Sequence, residues 1–239
     1  MTEDIYKNYT STSVLTGVDV EKFTKWSHRY FRRFILPHIP TDKKSKILEI
    51  GCGYGRYTQL ITQTLGYEQT IGVDISEEQI EYARKNYKLT NVFKADALEY
   101  LKNHVEKYDV VILMDVLEHL DLAYAIGLLS AIRESLAPTG KLVIQVPNGL
   151  SPMTPIFYGD VTHVRPFSVN SMSQILRMAG FTQFKNASVP PMVYNLKSAI
   201  HWFLWKVVVN PVVYVFLMMS HGSAVGGVYS SNLLTVAYK

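Results

Sequence analysis

The chain has 239 residues, 48% hydrophobic and 18% charged, which suits one sizeable α/β domain with a small appendage. A net charge of +4, with no basic run longer than Arg32-Arg33, leaves no nucleic-acid footprint. Cys52 is the single cysteine, so an intrachain disulfide is excluded, which fits a reducing compartment.

The opening segment "MTEDIYKNYT" is polar and acidic and lacks the apolar centre of a secretory signal, so a cytoplasmic location is expected. Residues 1–45 read as lead-in helices. From Lys46 the chain alternates apolar β-rich runs with helical patterns. "KILEIG" leads into a helix through Leu65, "TIGVDI" into "SEEQIEYARKNY", and "NVFKAD" into "ALEYLKNH". Then come "YDVVILMD", the helix "LAYAIGLLSAIRESLA", the turn "PTGK" and the strand "LVIQVP". Such continuous apolar strands belong to a parallel sheet covered on both faces. Repeated βα units predict a doubly wound open sheet in a single domain, with residues 46–180 as its ligand-binding core.

After Pro147 the rhythm breaks into a proline-rich loop, residues 148–167, too long to be a mere connection. It follows a strand's carboxyl end, where open α/β sheets bind ligands, and is expected to be an active-site loop. "SVNSMSQILRMAG" reads as a capped helix ending at Gly180, "FTQFKNASV" as a sixth strand and "NLLTVAYK", 232–239, as a terminal seventh.

Between the last two strands lies an apolar helical insertion, residues 196–222. About 20 apolar residues suffice to span a bilayer. The Ile, Leu, Val and Phe residues of Ala199–Met219 favour insertion by roughly 5 kcal/mol, but Lys206 alone opposes it by about 3, and His201, Asn210 and Pro211 oppose most of the rest. The expectation is therefore a helical pair broken at Asn210-Pro211. It either packs against its own domain or a second subunit in a homodimer, or dips into a membrane surface.

The chemistry centres on "EIGCGYG". Gly51, Gly53 and Gly55 form a G-x-G-x-G turn, tighter than the G-x-G-x-x-G that cradles a pyrophosphate. Asp74 closes the second strand, where a carboxylate can accept both ribose hydroxyls, and Asp96 closes the third, beside the position of an adenine amine. Acidic strand ends around a glycine turn suit an adenosine ligand with a cationic amino-acid arm, such as S-adenosylmethionine.

The ordered set Glu49/Gly51/Gly53/Gly55, Asp74, Asp96 and Asp115 resembles the class I S-adenosylmethionine-dependent methyltransferases from about Ile47 to Gly180. The resemblance implies a Rossmann-like, seven-stranded, mostly parallel sheet with an antiparallel terminal strand. It places Glu49 and the three glycines around methionine, Asp74 with Ile75 at the ribose, Asp96 with Ala97 at adenine, and Met114 and Asp115 by the sulfonium. The pattern Y-G-D-x-T-H-x-x-x-F in 158–167 further resembles a bacterial subgroup associated with lipopolysaccharide, O-antigen and other surface-sugar pathways. It implies O-methylation of a sugar hydroxyl on a surface glycan or its precursor, including a lipid-linked sugar. A phenol or amine metabolite as acceptor, and a non-catalytic cofactor-binding assembly module, remain the alternatives.

A hydroxyl acceptor needs a base near the methyl group. His163, with Asp160 three residues earlier to orient it, is the expected general base, and His119 a supporting residue. Each histidine can equally serve its own loop, and histidines 28, 38, 104, 201 and 221 receive no chemistry. Tyr158, Arg165 and Phe167 are the expected acceptor contacts. Asp115, Glu118, His119, Asp160 and His163 match no recognised ligand signature, so no metal is assigned.

Overall fold

A computed structural model describes residues 20–239. The part of the lead-in segment before residue 20, with its polar terminus, lies outside the described residues. Helix α1, Val20–Phe34, and a 3-10 turn at Leu36–His38 form the rest of it.

Seven strands follow: β1 Ile47–Ile50, β2 Thr70–Asp74, β3 Val92–Lys94, β4 Tyr108–Met114, β5 Leu136–Pro147, β6 Gln183–Ser188 and β7 Asn232–Tyr238. Their order in the sheet is β3-β2-β1-β4-β5-β7-β6. The first five pair in parallel, and β7 runs antiparallel to both β5 and β6. The expected Rossmann-like sheet is thus present, with its antiparallel terminal strand. The order reverses between β1 and β4, so their carboxyl ends diverge into a crevice. Strands β1 and β4 are buried along nearly their whole length, as their unbroken apolar runs require.

Helices cover both faces: α2 Arg56–Gln59, prolonged by a π turn at Leu60–Thr64, α3 Glu77–Tyr87, α4 Ala97–Asn103, α5 Leu122–Ser135, the short α6 Pro155–Tyr158 and α7 Val169–Met178. Side chains cap several of them where the sequence put a polar residue before the apolar run. Asp96 caps α4, Asp121 caps α5, and Ser168 and Ser171 form a reciprocal box at α7. Helix α5 ends two residues earlier than its pattern suggested. Leu136 is taken into the sheet opposite Tyr108, and the ladder shifts register before Val110 meets Lys141. The expected turn at 138–141 is therefore part of this irregular strand.

The insertion differs most from expectation. Residues Leu196–His221 form one continuous helix, built of α8 Leu196–Leu204, a π turn Trp205–Val209 and α9 Asn210–His221. The expected break at Asn210-Pro211 is absent because the π turn Trp205–Val209 lies directly before Pro211 and widens the helix where the proline ring would clash. Packing against its own domain is confined to its first turns, where Ser198 is buried: Ile200, Phe203, Val207, Phe216 and Met219 are all exposed.

Candidate active site

Two adjoining cavities open at the carboxyl edge of the sheet, sharing Gly51, Gly53, Gln79, Asp115 and His119 as a common wall. The first lies over β2 and β3 and takes in Asp74, Ile75, Asp96 and Ala97, all at strand ends. Its floor is the glycine turn, where left-handed backbone holds φ at 70° for Gly51 and 56° for Gly53. A Cβ on Gly51 would clash with Val116, and one on Gly53 would meet the Gln79 amide oxygen at 2.6 Å. Asp74 closes this turn itself, accepting from Gly53 N and from Ser76 N, each at 2.8 Å. Asp96 accepts from Leu98 N and Glu99 N with one oxygen and from the Tyr124 hydroxyl, at 2.7 Å, with the other. Both acids are oriented by the protein before any ligand arrives. Gly55 lines neither cavity, and its left-handed bend brings the start of α2 against Leu89 and Ala83 beside α3.

The second cavity lies under the loop of residues 148–167 and is lined by Glu49, Met114, Arg56, Glu118, Asp160 and His163, among others. Glu49 is buried, and its Oε2 accepts from Thr58 at 2.5 Å. Burial pushes its carboxyl up to about 7. Asp115 has a left-handed backbone, φ 57°, and both its oxygens accept from Gln145 Nε2, at 3.0 and 3.2 Å. Gln145 is held in turn by the Tyr30 hydroxyl of α1. Burial raises the carboxyls of Asp74 and Asp115, and that of Glu118 well above the usual range.

The histidines are arranged differently from the sequence expectation. Thr162 donates its hydroxyl proton to Asp160 at 2.6 Å, so its oxygen accepts from Nδ1–H of His119 at 2.9 Å. Asp160 is thus coupled to His119 through a hydroxyl, and its carbonyl also accepts from His163 N at 3.3 Å. His163 points Nδ1 at the carbonyl of Phe157, 2.7 Å away, and its Nε2 lies 3.9 Å from Glu118 Oε1. The two imidazoles are 4.6 Å apart between ring centres. Burial, and then the neighbouring His163, lower the His119 pKa to about 4. The loop is latched over this cluster by Val164 N donating to Glu118 O at 2.8 Å. Glu118, His119 and His163 are close enough for one ion, which the lack of a sequence signature had discounted.

None of the three expected acceptor contacts lines either cavity among the described residues. Phe167 is buried in the core behind the loop, because its backbone is clamped to Asn148 and Gly149 at the loop's base. Tyr158 is 79% exposed at the end of α6, and Arg165 lies beyond the cavity wall. In their place the structure brings in Arg56 and Tyr54 from the glycine loop, Gln79 from the first turn of α3, and Tyr124 from α5. Only the first two were legible, by sitting next to the motif. Gln79 and Tyr124 carried no signal, since only the packing of their helices aims them inward.

This geometry has relatives. The sequence pattern of the methyltransferase domain matches residues 23–185. The chain belongs to the methyltransferase-domain family. It is 25% identical to a solved SAM-dependent methyltransferase of Archaeoglobus fulgidus, covering 90% of this chain and 94% of that one with a TM-score of 0.66. It is also 25% identical to the trans-aconitate 2-methyltransferase of Rhizobium leguminosarum bv. trifolii, over 62% of this chain and 56% of that protein. The Agrobacterium fabrum protein of the same name is 27% identical over 52% of this chain and 47% of its own. The chain spans about half the length of these curated relatives. The relatives are not surface-sugar enzymes, so the narrower resemblance of the loop gains no support from them.

S-adenosylmethionine is the cofactor that this family membership and the solved neighbour imply. The residues present fit it. The glycine turn leaves backbone where a side chain would intrude, Asp74 stands at the end of β2 beside that turn, and the carboxyl groups of Glu49 and Asp115 complement a sulfonium and an ammonium. When bound, it supplies an electrophilic methyl group, which the acceptor gains while sulfur keeps the bonding electron pair.

Proposed function

We propose that this protein is a methyltransferase acting on a neutral hydroxyl acceptor, a sugar or sugar precursor. The observation that carries this is the charge of the second cavity. Among the described residues, Glu49, Asp115, Glu118 and Asp160 line it against a single guanidinium, Arg56. A tricarboxylate such as the acceptor named for the curated relatives would find one guanidinium there for three carboxylates, among acidic neighbours that cannot pair with it. A hydroxyl has no such penalty, and it needs what the cavity contains, proton-accepting groups at the cofactor's edge. His119 lines both cavities and so can hold the hydroxyl where they meet, while His163, with Nδ1 occupied, is left with Nε2 to take its proton. The loop is held over the cavity by Val164 N donating to Glu118 O. The test is a panel of neutral sugars, amines and trans-aconitate with S-adenosylmethionine, read by mass gain. Turnover of trans-aconitate, or of amines alone, would overturn the reading.

We propose further that the helix Leu196–His221 is embedded in a lipid bilayer and holds the active site at its surface. That helix has 26 residues, a mean hydropathy of 1.7 and none of its most apolar stretch buried. It is apolar all round, with Tyr214, Val215 and Phe216 exposed together although successive helical residues point about 100° apart. A subunit seal would need one stripe; lipid needs every side. No acidic residue follows Asp160, whereas Arg165, Arg177, Lys185, Lys197, Lys206 and Lys239 do, which suits an anionic membrane. An acceptor sugar on a lipid carrier would meet the cavity there.

A further inference from the structure

Glu118, His119 and His163 each offer one ligand atom, and these atoms lie within 4.8 Å of one another. Glu118 carries the argument. It is wholly buried, yet neither carboxylate oxygen has a hydrogen-bond partner among the described residues. A carboxyl group left in that state forgoes the hydrogen bonds it would make in water unless something meets it. The surrounding chain is built to present nitrogen rather than N–H to the same point. On His163 the Phe157 carbonyl fixes the proton on Nδ1, and on His119 the Thr162 oxygen does the same, with Asp160 behind it. The His163 ring therefore turns an unprotonated Nε2 toward Glu118, 3.9 Å from its Oε1, and His119 offers its ligand atom to the same cluster. Anchoring of this kind, by a carbonyl and by a carboxylate relay, is how proteins orient metal-binding imidazoles. The side chain of His163 is only 8% exposed, so the cluster is not an accidental surface patch.

We propose that Glu118, His119 and His163 form a binding site for one divalent first-row transition-metal ion, Zn²⁺ or Mn²⁺, on the wall between the two cavities. Two imidazoles and one carboxylate suit such ions better than Mg²⁺ or Ca²⁺, which take oxygen ligands. Three protein ligands leave room for another, and His119 lines both cavities, so that position faces the acceptor. The role of the ion rests on the hydroxyl-acceptor reading above; the site itself does not. A hydroxyl held by the ion is a stronger acid than a free one. Its proton leaves to Asp160, which lines the same cavity and is not one of the three ligands. In the loaded protein the two imidazoles then act on the hydroxyl through the ion rather than directly.

The experiment uses the full chain, stripped with EDTA and dialysed. Zn²⁺, Mn²⁺ and Mg²⁺ are titrated by calorimetry, with metal content measured after gel filtration, and S-adenosylhomocysteine binding is measured in parallel. One equivalent of Zn²⁺ or Mn²⁺ should bind, with Mg²⁺ at least tenfold weaker. Glu118→Gln and His163→Ala should each lower affinity for the bound ion by at least tenfold, the scale seen when a metal shell is disturbed. S-adenosylhomocysteine affinity should stay within about twofold in both variants, which also shows that they fold. Failure of all three ions to bind, or stoichiometric binding that neither substitution weakens, overturns the site. Loss of S-adenosylhomocysteine binding by the parent would instead sink the methyltransferase reading and leave the metal result standing.

Discussion

Asp160 reaches His119 through one hydroxyl: Thr162 Oγ1 donates to Asp160 at 2.6 Å and accepts from His119 Nδ1 at 2.9 Å. This relay makes Thr162 a positioning residue. Thr162→Val breaks it while keeping the side-chain shape, and should lower kcat on the true acceptor about tenfold or more. Thr162→Ser keeps the hydroxyl and should retain most of the rate. Equal losses in the two variants would reduce the residue to packing.

His163→Ala should lose about 10²–10⁴ in turnover, whether the imidazole acts as base or as ligand, while cofactor affinity is kept. Steady-state kinetics beside S-adenosylmethionine titration read the two separately. Retention of more than about a tenth of parental turnover would pass the role to His119 or Asp160.

Asp74 both lines the first cavity and pins Gly53 N. Asp74→Asn should weaken S-adenosylmethionine binding by about 1.5–3 kcal/mol, the scale of a charge-assisted hydrogen bond, with NAD not bound by either form. A mutant with parental affinity removes Asp74 from the ribose site.

Glu49 gives a pH signature. Its carboxyl is raised from 4.5 to about 7, first by burial, so the folded protein holds that proton more tightly than the unfolded chain. The stability this confers is fully present below about 4.5 and is lost as pH rises through about 7, up to about 3 kcal/mol. Glu49→Gln cannot ionise. Denaturant melts from pH 4.5 to 8 should show the parent losing stability relative to this variant as pH rises. A constant difference would mean that folding does not raise the Glu49 pKa.

For the apolar helix, purified protein should co-sediment with vesicles of phosphatidylcholine and phosphatidylglycerol, with blue-shifted tryptophan emission from Trp202 and Trp205. Val212→Glu with Phe216→Glu should abolish both while leaving S-adenosylhomocysteine binding intact, since neither residue lines the cavities. A stable dimer that ignores vesicles would assign the helix to a second copy instead.

The sequence by itself determined the sheet and marked the glycine turn and acidic strand ends that line the first cavity. Strand runs such as "DVVILM" have one stable solution, burial on both faces, and a left-handed glycine turn followed by acids at strand ends is a local, consecutive signal. The acceptor side was decided only in three dimensions. Phe167 looked available in sequence but is held in the core by the clamp at Asn148, while Glu118 looked incidental but is turned inward and latched by Val164. Which histidine Asp160 serves depends on a hydroxyl, Thr162, whose direction follows from the loop's closure and not from its spacing. The insertion followed the same rule. Composition marked it as apolar, but its continuity past Pro211 and its exposure on all sides depend on a π turn and on where the sheet leaves it. Local backbone preference and burial are written residue by residue; the convergence of side chains from distant loops is set by packing, which no single stretch contains.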